Sequence, residues 1–326
     1  MTLTVSVTVE RWLVAGSFII SRGAKEHVDV IFCEISDGAF TGRAEATPIY
    51  YEGETAQECA DEIRRFAAEY PALTHAILLQ KMTRGAARNA LDCALWDLDC
   101  QKSNSALWQL TGLPQPAPTL SAFTISLGRP ELMETQARQA AAEGFALLKL
   151  KLSGENDQER VAAVHRGAPD ARLIVDANES WNDIDIAAEA ARLEQYSVEL
   201  IEQPVSAGRD HLLAGIRSPI PLCADESCHT SADVERIAPF YDAVNIKLDK
   251  AGGLTEAMAI ARAAQAADMK IMVGCMLSTS LGIQPAFSLA QLAKWVDLDG
   301  PWLLAKDRDD GFRLESGRIL PADSPV

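Results

Sequence analysis

The segment 147–152 carries two lysines that must share one side of an apolar stretch. Lys149 and Lys151 alternate there with leucines. A short segment with apolar flanks is typical of a buried strand, in which successive side chains point to opposite faces. The two ammonium groups therefore lie on one buried face, where desolvation and mutual repulsion oppose their charges. Such a strand requires anions opposite the lysines, either carboxylates of the protein or those of a substrate.

Acidic residues end three later apolar segments, about one strand–helix unit apart. They are Asp176 in Val175-Asp176-Ala177-Asn178, Glu202 in Ile201-Glu202-Gln203-Pro204 and Asp225 in Ala224-Asp225-Glu226-Ser227. Carboxylates about 5 Å apart repel by roughly 3 kcal/mol per pair at an effective dielectric of about 20, and a hard divalent cation removes that cost. Because the set contains neither His nor thiolate, it predicts Mg²⁺ rather than Zn²⁺.

A second candidate base, Lys247, ends the apolar segment Asn245-Ile246-Lys247. If these segments are strands of one barrel, Lys151 and Lys247 face each other across the carboxylates. Burial beside other cations lowers the pKa of a lysine toward neutrality, which would make each lysine a usable base. A metal-held substrate carboxylate between two opposed bases suits removal of the neighbouring proton from one face and its return from the other, through an enediolate. The residues thus predict epimerisation by 1,1-proton transfer.

Simpler alternatives exist for each residue taken singly. A carboxylate at a strand end can cap the next helix, and a lone lysine on a barrel strand can form a Schiff base, as in barrel aldolases. His229 lies beyond the end of its strand, so we interpret it as a loop or helix-capping residue. The pair Gly252-Gly253 indicates a tight turn, because no phosphate-loop motif accompanies it. Three carboxylates together with opposed lysines favour the metal site over these alternatives.

The elements that must position these residues form a regular series from Thr119 onward. Short apolar segments alternate there with Ala- and Glu-rich helical patterns, which is typical of βαβ units and a parallel sheet. The number of units predicts an α/β fold of the (β/α)8 type, a TIM-like barrel with its chemistry at the carboxyl ends of the strands. A doubly wound open sheet is the structural alternative. The predicted strands are Ser121–Ser126, Phe145–Leu152, Leu173–Asp176, Val198–Glu202, Ile220–Asp225, Ala243–Lys247, Lys270–Cys275 and Val296–Asp299.

The chain before Thr119 has a different pattern. Strand-like segments come first, at Thr4–Trp12, Val28–Ile35 and Phe40–Ala46, and the segment Arg84–Cys100 then has the apolar face of a helix. Strands followed by helices indicate an α+β unit, which closes at the breaker-rich linker 111–118. We therefore predict an α+β capping domain over 1–115 and a barrel over 116–299. The segment 300–326 contains a strand-like tail and is expected to return to the cap.

Composition excludes several classes of protein. A net charge of −16 over 326 residues argues against a nucleic-acid partner. No apolar run is long enough to span a membrane, and the N-terminus lacks the pattern of a signal peptide. Seven cysteines without a C-x-x-C pair indicate reduced thiols and a cytoplasmic protein. The expected partner is a small-molecule substrate, and the oligomeric state, including a homo-oligomer, stays open.

The strand-end motifs, taken in order, resemble those of the enolase superfamily, muconate-lactonising subgroup. The resemblance includes Leu148-Lys149-Leu150-Lys151, the three acidic motifs, and Asn245-Ile246-Lys247 followed by Gly252-Gly253-Leu254. It implies a modified (β/α)7β barrel whose α+β cap covers the site. It also implies that Asp176, Glu202 and Asp225 hold Mg²⁺. Lys151 and Lys247 would then exchange the proton, and Lys149 would support the charge of the substrate carboxylate.

Within this subgroup the chain is most similar to dipeptide epimerases of the L-Ala-D/L-Glu type. The resemblance rests on Asp297-Leu298-Asp299-Gly300-Pro301. In such enzymes the two aspartates bind the free ammonium of the dipeptide, and strand geometry would aim both inward here; an ordinary turn is the alternative. The resemblance also implies substrate contacts from Arg22 in a first loop, which could reach a glutamate side chain, from Tyr50 in a second, lid-like loop, and from Thr124.

One departure concerns the segment Cys275-Met276-Leu277-Ser278-Thr279-Ser280, where many relatives carry an acidic residue after the methionine. It loosens the inference about the substrate side chain. The rival activities of the same subgroup are o-succinylbenzoate synthesis, N-acylamino-acid racemisation and lactone cycloisomerisation. Their substrates lack a free ammonium, so Asp297 and Asp299 favour the dipeptide. The intact metal and lysine positions disfavour a scaffold protein without turnover.

Overall fold

A computed structural model describes residues 3–20 and 23–321. The chain begins with an antiparallel sheet in the order β1-β2-β3, formed by β1 (Thr4–Ile20), β2 (Gly23–Ser36) and β3 (Thr41–Ala46). Strands β1 and β2 are longer than predicted, with a register shift between Leu13 and Phe18. The far end of this hairpin reaches the rest of the protein, where the Leu127 amide donates to the Ile19 carbonyl at 2.8 Å.

Four helices follow the sheet: α1 (Ala56–Glu69), α2 (His75–Lys81), α3 (Ala86–Ser103) and α4 (Leu107–Thr111). The apolar stripe predicted for the third of them is confirmed, because α3 buries Ala87, Ala90, Leu91, Ala94, Leu95 and Leu98. Burying this stripe against the sheet is what stabilises the α+β cap. We keep the name cap for the elements β1 to α4.

Eight parallel strands form the next sheet, and their order along the sheet is their order along the chain. The amide of Ala122 donates to the carbonyl of Val296 at 2.7 Å, which joins the first strand to the last. A doubly wound sheet would reverse its order at a switch point, so that alternative is wrong and the barrel is confirmed. The strands are β5 (Phe123–Ile125), β6 (Leu147–Lys151), β7 (Arg172–Asp176), β8 (Val198–Glu202), β9 (Leu222–Ala224), β10 (Ala243–Ile246), β11 (Lys270–Gly274) and β12 (Trp295–Asp297). The short strand β4 (Thr119–Leu120) precedes them.

The helices around the barrel are uneven in length. They are α5 (Pro130–Ala142), α6 (Asp157–Gly167), α7 (Ile186–Leu193), α8 (Asp233–Ile237), α9 (Leu248–Ala251), α10 (Leu254–Ala266) and α11 (Ser280–Leu289). Within the described part of the chain, β12 is followed only by the 3-10 turn Gly300–Leu303 before the final strands. The last strand thus lacks its helix, as the (β/α)7β arrangement requires.

The C-terminal segment contacts two regions. Arg308 pairs with Glu10 and Glu45 of the cap, at 2.6 Å and 2.7 Å. The strands β13 (Arg313–Glu315) and β14 (Arg318–Leu320) instead form a small antiparallel sheet with β4, beside the amino-terminal end of β5. The boundaries 1–115, 116–299 and 300–326 stay a prediction.

The barrel interior is apolar at one end and charged at the other. One buried layer takes a residue from each strand or its edge: Ala122, Leu147, Ile174, Leu200, Cys223, Ala243, Met272 and Trp295. In β6, Leu148 and Leu150 belong to the separate core that also includes helix residues, so Lys149 and Lys151 point into the barrel above Leu147. The predicted sharing of one face by the two lysines is confirmed. No helix among the described residues is long and apolar enough to cross a membrane.

Candidate active site

The predicted lysines and carboxylates meet inside the barrel at the carboxyl ends of its strands. Neighbouring strands place Lys151 beside Asp176, and Asp176 beside Glu202, as paired positions in the sheet. Asp225 directly follows β9 and Lys247 directly follows β10. Every one of these side chains is buried. Strands β6 and β10 are four positions apart in the eight-stranded order, so their lysines approach the site from opposite sides.

Lys149 is surrounded by carboxylates. Its Nζ lies 2.6 Å from Glu202 Oε2, 2.9 Å from Asp297 Oδ2 and 3.3 Å from Asp176 Oδ2. Burial lowers the pKa of Lys149, but the attraction of Asp297, Glu202 and Asp176 outweighs burial and raises the pKa well above its usual value. Lys149 is therefore held as a positive charge among three carboxylates.

The two candidate bases each hold one carboxylate. Lys151 Nζ donates to Asp176 Oδ2 and Lys247 Nζ donates to Asp225 Oδ2, both at 2.6 Å. For Lys247 the expected lowering of the pKa is wrong for the metal-free site. Burial does lower it, but the attraction of Asp225 and Glu202 together outweighs burial and raises the pKa of Lys247 well above its usual value. A cation on Asp225 would compete with Lys247 for that oxygen.

The carboxylate set fits a hard cation in its chemistry. Among the residues described, no three acidic, His or Cys groups form a ready-made metal cluster, and lysine ammonium groups contact the carboxylates instead. Glu202 Oε2 and Asp225 Oδ1 are buried without a hydrogen bond in the described part of the chain, and each faces an ammonium at 2.6 Å. Burial and the nearby Asp176 raise the pKa of Glu202 to about 7. This excess of negative charge is what a divalent cation relieves.

Asn245 and Gln203 form hydrogen bonds to residues of the candidate metal site. Neither residue was predicted from the sequence. Asn245 Nδ2 donates to Glu202 Oε1 at 2.8 Å. The Gln203 side-chain carbonyl accepts from the amides of Asp225 at 2.8 Å and Ser227 at 3.1 Å. Asn245 lies two residues before Lys247, so strand periodicity could have placed it on the same face. Gln203 follows the end of β8 with a left-handed backbone, which periodicity does not predict.

Asp297 and Asp299 both point inward beside Thr124. Asp299 Oδ2 accepts from the Thr124 amide at 2.7 Å, and Asp297 contacts Lys149. Burial and the neighbouring Asp297 raise the pKa of Asp299 to about 7. The alternative of an ordinary turn is partly correct, because Asp299 precedes the 3-10 turn Gly300–Leu303. Its carboxylate does not cap that turn, which leaves the side chain available to the site.

The second loop of the cap covers the opening. A cavity of about 70 Å³ is lined by Lys25, Tyr50, Tyr51, Lys151, Asp225 and Lys247, together with the segment 275–277 and others. Tyr50 lies in a 3-10 turn, Tyr50–Glu52, and Lys25 Nζ is 3.6 Å from the centre of its ring. The predicted lid residue Tyr50 therefore does border the cavity. Arg22 lies outside the described residues.

His229 belongs to the attachment of this lid. Its Nε2 lies 2.9 Å from Glu52 Oε1, and Arg84 holds the same carboxylate at 2.9 Å. Burial and the charges of Lys250 and Arg84 lower the pKa of His229 to about 4. A histidine that is neutral at pH 7 and lies beside a loop carboxylate matches the interpretation as a loop residue.

The atypical segment 278–280 joins the cap to the barrel. The amide and hydroxyl of Thr279 donate to Glu45 at 2.7 Å and 2.5 Å, and Arg308 also contacts Glu45. Ser280 binds Asp307 in the same way. The absence of an acidic residue here is thus accompanied by a structural role for the hydroxyl side chains.

Two family models match the chain. Residues 2–112 match "Mandelate racemase / muconate lactonizing enzyme, N-terminal domain", and residues 132–325 match "Enolase C-terminal domain-like". An L-Ala-D/L-Glu epimerase of Escherichia coli (strain K12) is 39% identical over 97% of this chain and 99% of its own length. An N-acetyl-D-glutamate racemase of a Pseudoalteromonas species is 39% identical over 90% of this chain and 94% of its own length.

Solved structures agree with these sequence matches. An enolase family member from Agrobacterium tumefaciens, described as having homology to dipeptide epimerases and holding sodium and L-Ala-L-Glu, is 45% identical with a TM-score of 0.94, over 98% of each chain. A dipeptide epimerase from Enterococcus faecalis V583, complexed with Mg and L-Leu-L-Tyr, is 28% identical with a TM-score of 0.92. It covers 100% of this chain and 98% of its own.

Proposed function

This chain belongs to the enolase superfamily, and we propose that it is a Mg²⁺-dependent isomerase that epimerises dipeptides of the L-Ala-D/L-Glu type. The observation that carries the proposal is the placement of Lys151 and Lys247 on strands four positions apart, on either side of the buried carboxylates. Two lysines on the same side of the substrate could exchange its α-proton but could not invert the configuration of the α-carbon. Opposed lysines can do both.

Asp176, Glu202 and Asp225 would hold the cation. Their buried oxygens and their excess of negative charge support this assignment, and all the candidate ligand atoms are hard oxygen donors suited to Mg²⁺. When bound, Mg²⁺ would polarise the substrate carboxylate and stabilise the negative charge that develops on it. Asn245 would keep Glu202 in place by its hydrogen bond.

Lys151 and Lys247 would move the proton. A dipeptide bound with its C-terminal α-carbon between them loses its α-proton to one lysine, and the electron pair of that C–H bond passes into the enediolate. The other lysine then donates a proton to the opposite face, which inverts the centre. Lys149 contacts three protein carboxylates, so its direct support of the substrate carboxylate stays a prediction.

Asp297 and Asp299 would read the free ammonium of the dipeptide. The raised pKa of Asp299, about 7, reflects a carboxylate without a cation of its own. A substrate ammonium would supply that cation. Thr124 would keep Asp299 turned toward the substrate through its amide.

Lys25 supports an acidic second residue in the dipeptide. It borders the cavity with Tyr50, and among the described residues no carboxylate pairs with it. Burial lowers its pKa to about 8, so it remains mostly protonated at pH 7. The side-chain carboxylate of a glutamate would provide the counter-ion. Any contribution of Arg22 to this contact stays a prediction.

One rival activity has a specific observation in its favour. The Pseudoalteromonas relative, as similar in sequence as the Escherichia coli epimerase, is an N-acetyl-D-glutamate racemase. N-acetylglutamate has the same acidic side chain as the C-terminal residue of L-Ala-L-Glu, but it has no free ammonium. The inward-facing Asp297 and Asp299 favour the dipeptide. Two buried carboxylates would attract the ammonium of a dipeptide, whereas they would repel the carbonyl oxygen of an N-acyl group. o-Succinylbenzoate synthesis and cycloisomerisation are disfavoured for the same reason.

The decisive assay offers both substrates to the Mg²⁺-loaded enzyme. L-Ala-L-Glu and N-acetyl-L-glutamate are incubated separately, and the configuration of the glutamate is read by chiral chromatography after hydrolysis. We expect a higher kcat/KM for the dipeptide, and N-acetylation of the dipeptide should abolish most of its turnover. A preference for N-acetylglutamate would reject the dipeptide in favour of the racemase.

The partners, the oligomeric state and the cellular compartment complete the proposal. Dipeptides are the proposed partners, and assembly into a homo-oligomer stays a prediction. All seven cysteines are free thiols, which supports the proposal of a reducing compartment such as the cytoplasm.

A further inference from the structure

We propose that Lys250 is a positioning residue for the metal site: it holds one oxygen of Asp225 so that the other oxygen faces the cation. Lys250 lies in helix α9, three residues after the proposed base Lys247. The inference rests on the metal site of the proposed function, but its test reads metal binding and does not require epimerase activity.

The ammonium of Lys250 is completely enclosed. The side chain is 1% exposed, and its Nζ lies 2.6 Å from Asp225 Oδ1. It also donates to the backbone carbonyl of Asp225, to that of Cys228 at 3.1 Å and to that of Asn245 at 3.2 Å. An ammonium has only three N–H donors, so the three backbone carbonyls satisfy all of them and the contact with Asp225 Oδ1 is an ion pair. Any rotation of this side chain would leave a buried donor unpaired, which is costly.

Lys250 differs from the other lysines of the site in what it can reach. Lys151 and Lys247 line the cavity, whereas Lys250 is not among the described residues that line it. It therefore cannot touch a substrate there. Its partners are Asp225, which directly follows β9, Cys228 in the loop beyond it, and Asn245 in β10, the strand that leads into Lys247. The metal-site carboxylate that it contacts is Asp225.

The two oxygens of Asp225 have different partners. Oδ1 faces Lys250, and Oδ2 accepts from Lys247 at 2.6 Å. If Asp225 holds the cation through Oδ2, Lys247 would lose this partner and become free to face the substrate, while Lys250 would keep Oδ1. The contact with Lys250 would then keep the carboxylate from turning.

The cap holds the helix that carries Lys250. Arg88 of α3 donates to the carbonyls of Ala251 at 2.6 Å and Gly252 at 2.9 Å. Asn89 Nδ2 and the Thr47 amide donate to Asp249 Oδ1 at 2.8 Å and 2.9 Å. Gly252 ends α9 with φ +74°, and a Cβ there would lie 2.6 Å from Arg88 Nε. The helix is therefore fixed on the cap side, and Lys250 transmits that position to Asp225.

The first test replaces Lys250 by a side chain of similar length without donors. In Lys250→Met the affinity for Mn²⁺, measured by titration calorimetry on the metal-stripped enzyme, should fall about 10- to 100-fold, as for other residues that orient metal ligands. The matched control is Lys306→Met, because Lys306 is exposed and pairs only with the exposed Asp309 among the described residues. Its Mn²⁺ affinity should equal that of the parent. If Lys250 acted only through its charge, removing it would relieve repulsion of the cation; an unchanged or increased affinity would therefore overturn the proposal.

The second test uses the parent protein and remains decisive if Lys250→Met does not fold. A crystal structure with Mg²⁺ should show Asp225 Oδ2 on the metal, Oδ1 still within 3.2 Å of Lys250 Nζ as an approximate hydrogen-bond limit, and Lys247 displaced. A metal on Oδ1, or Lys250 turned away from Asp225, would refute the inference. A protein that binds Mg²⁺ in this way but epimerises no dipeptide would refute the proposed function and leave the role of Lys250 standing.

Discussion

Replacing Asp299 by asparagine should make the substrate-free protein more stable and the enzyme much less active. Asparagine keeps the shape of aspartate and an oxygen that accepts from the Thr124 amide, which lies 2.7 Å from Asp299 Oδ2. It removes only the charge. If Asp299 were needed only for the turn, replacing it would lower both the stability and the activity of the protein. A rise in stability together with a fall in activity therefore identifies a carboxylate kept for the substrate.

The gain in stability follows from the pKa of Asp299. Burial and Asp297 raise it from 3.8 to about 7. The folded state binds the proton of Asp299 more tightly than the unfolded state does. The free energy of unfolding therefore falls as the pH rises from about 4 to about 7, and the full penalty of the buried charge is present above about pH 7. A shift of this size corresponds to at most about 4 kcal/mol. Asp299→Asn should recover part of that penalty at about pH 8 and almost none near pH 4.

The loss of activity follows from the ammonium. Removing one charged partner of a buried ammonium should cost about 3 kcal/mol, which is roughly a hundredfold in kcat/KM for L-Ala-L-Glu. An N-acetylated dipeptide has no ammonium, so parent and variant should process it equally poorly.

Urea denaturation in EDTA at the two pH values and steady-state kinetics with both substrates test these expectations. Lower stability of Asp299→Asn at alkaline pH, or unchanged turnover of L-Ala-L-Glu, would refute the assignment of Asp299 to the ammonium.

Two further predictions concern the cation and the substrate side chain. EDTA should abolish epimerisation and Mg²⁺ should restore it, since Asp176, Glu202 and Asp225 would hold the cation that stabilises the charge developing on the substrate carboxylate; full activity in a sample shown by elemental analysis to be metal-free would contradict the site. Lys25→Met should lower kcat/KM for L-Ala-L-Glu about 10- to 100-fold, the value of one half-buried charge-assisted contact, and leave L-Ala-L-Met unaffected, with Lys306→Met as the control. An equal loss on both dipeptides would show that Lys25 does not read the side chain.

Much of the site was predictable because strand periodicity is simple. Lys149 and Lys151 had to share a face, and carboxylates that end consecutive strands of a barrel had to meet at one rim. Lys250 was not predictable in this way, because it lies on the short helix after β10 and meets Asp225 only through the tertiary fold.

Other features depend on contacts that no local pattern records. The pKa of Lys247 was expected to fall, but its nearest neighbour is the Asp225 carboxylate at 2.6 Å and not another lysine. Spacing along the chain predicts which groups share a site without predicting which pairs touch. The pairing of β14 with β4 joins segments about 200 residues apart, and such pairing leaves no signal in either segment.

The central claim is proton transfer by two opposed lysines, and single-face exchange in D₂O measures it most directly. Lys151→Ala and Lys247→Ala should each fail to epimerise L-Ala-L-Glu. One variant should still exchange the α-proton of L-Ala-L-Glu for deuterium with retention of configuration, and the other should do so only with L-Ala-D-Glu, as read by mass spectrometry and chiral analysis. If both variants exchange the same epimer, or if either still inverts the centre at the parental rate, the two lysines do not serve opposite faces.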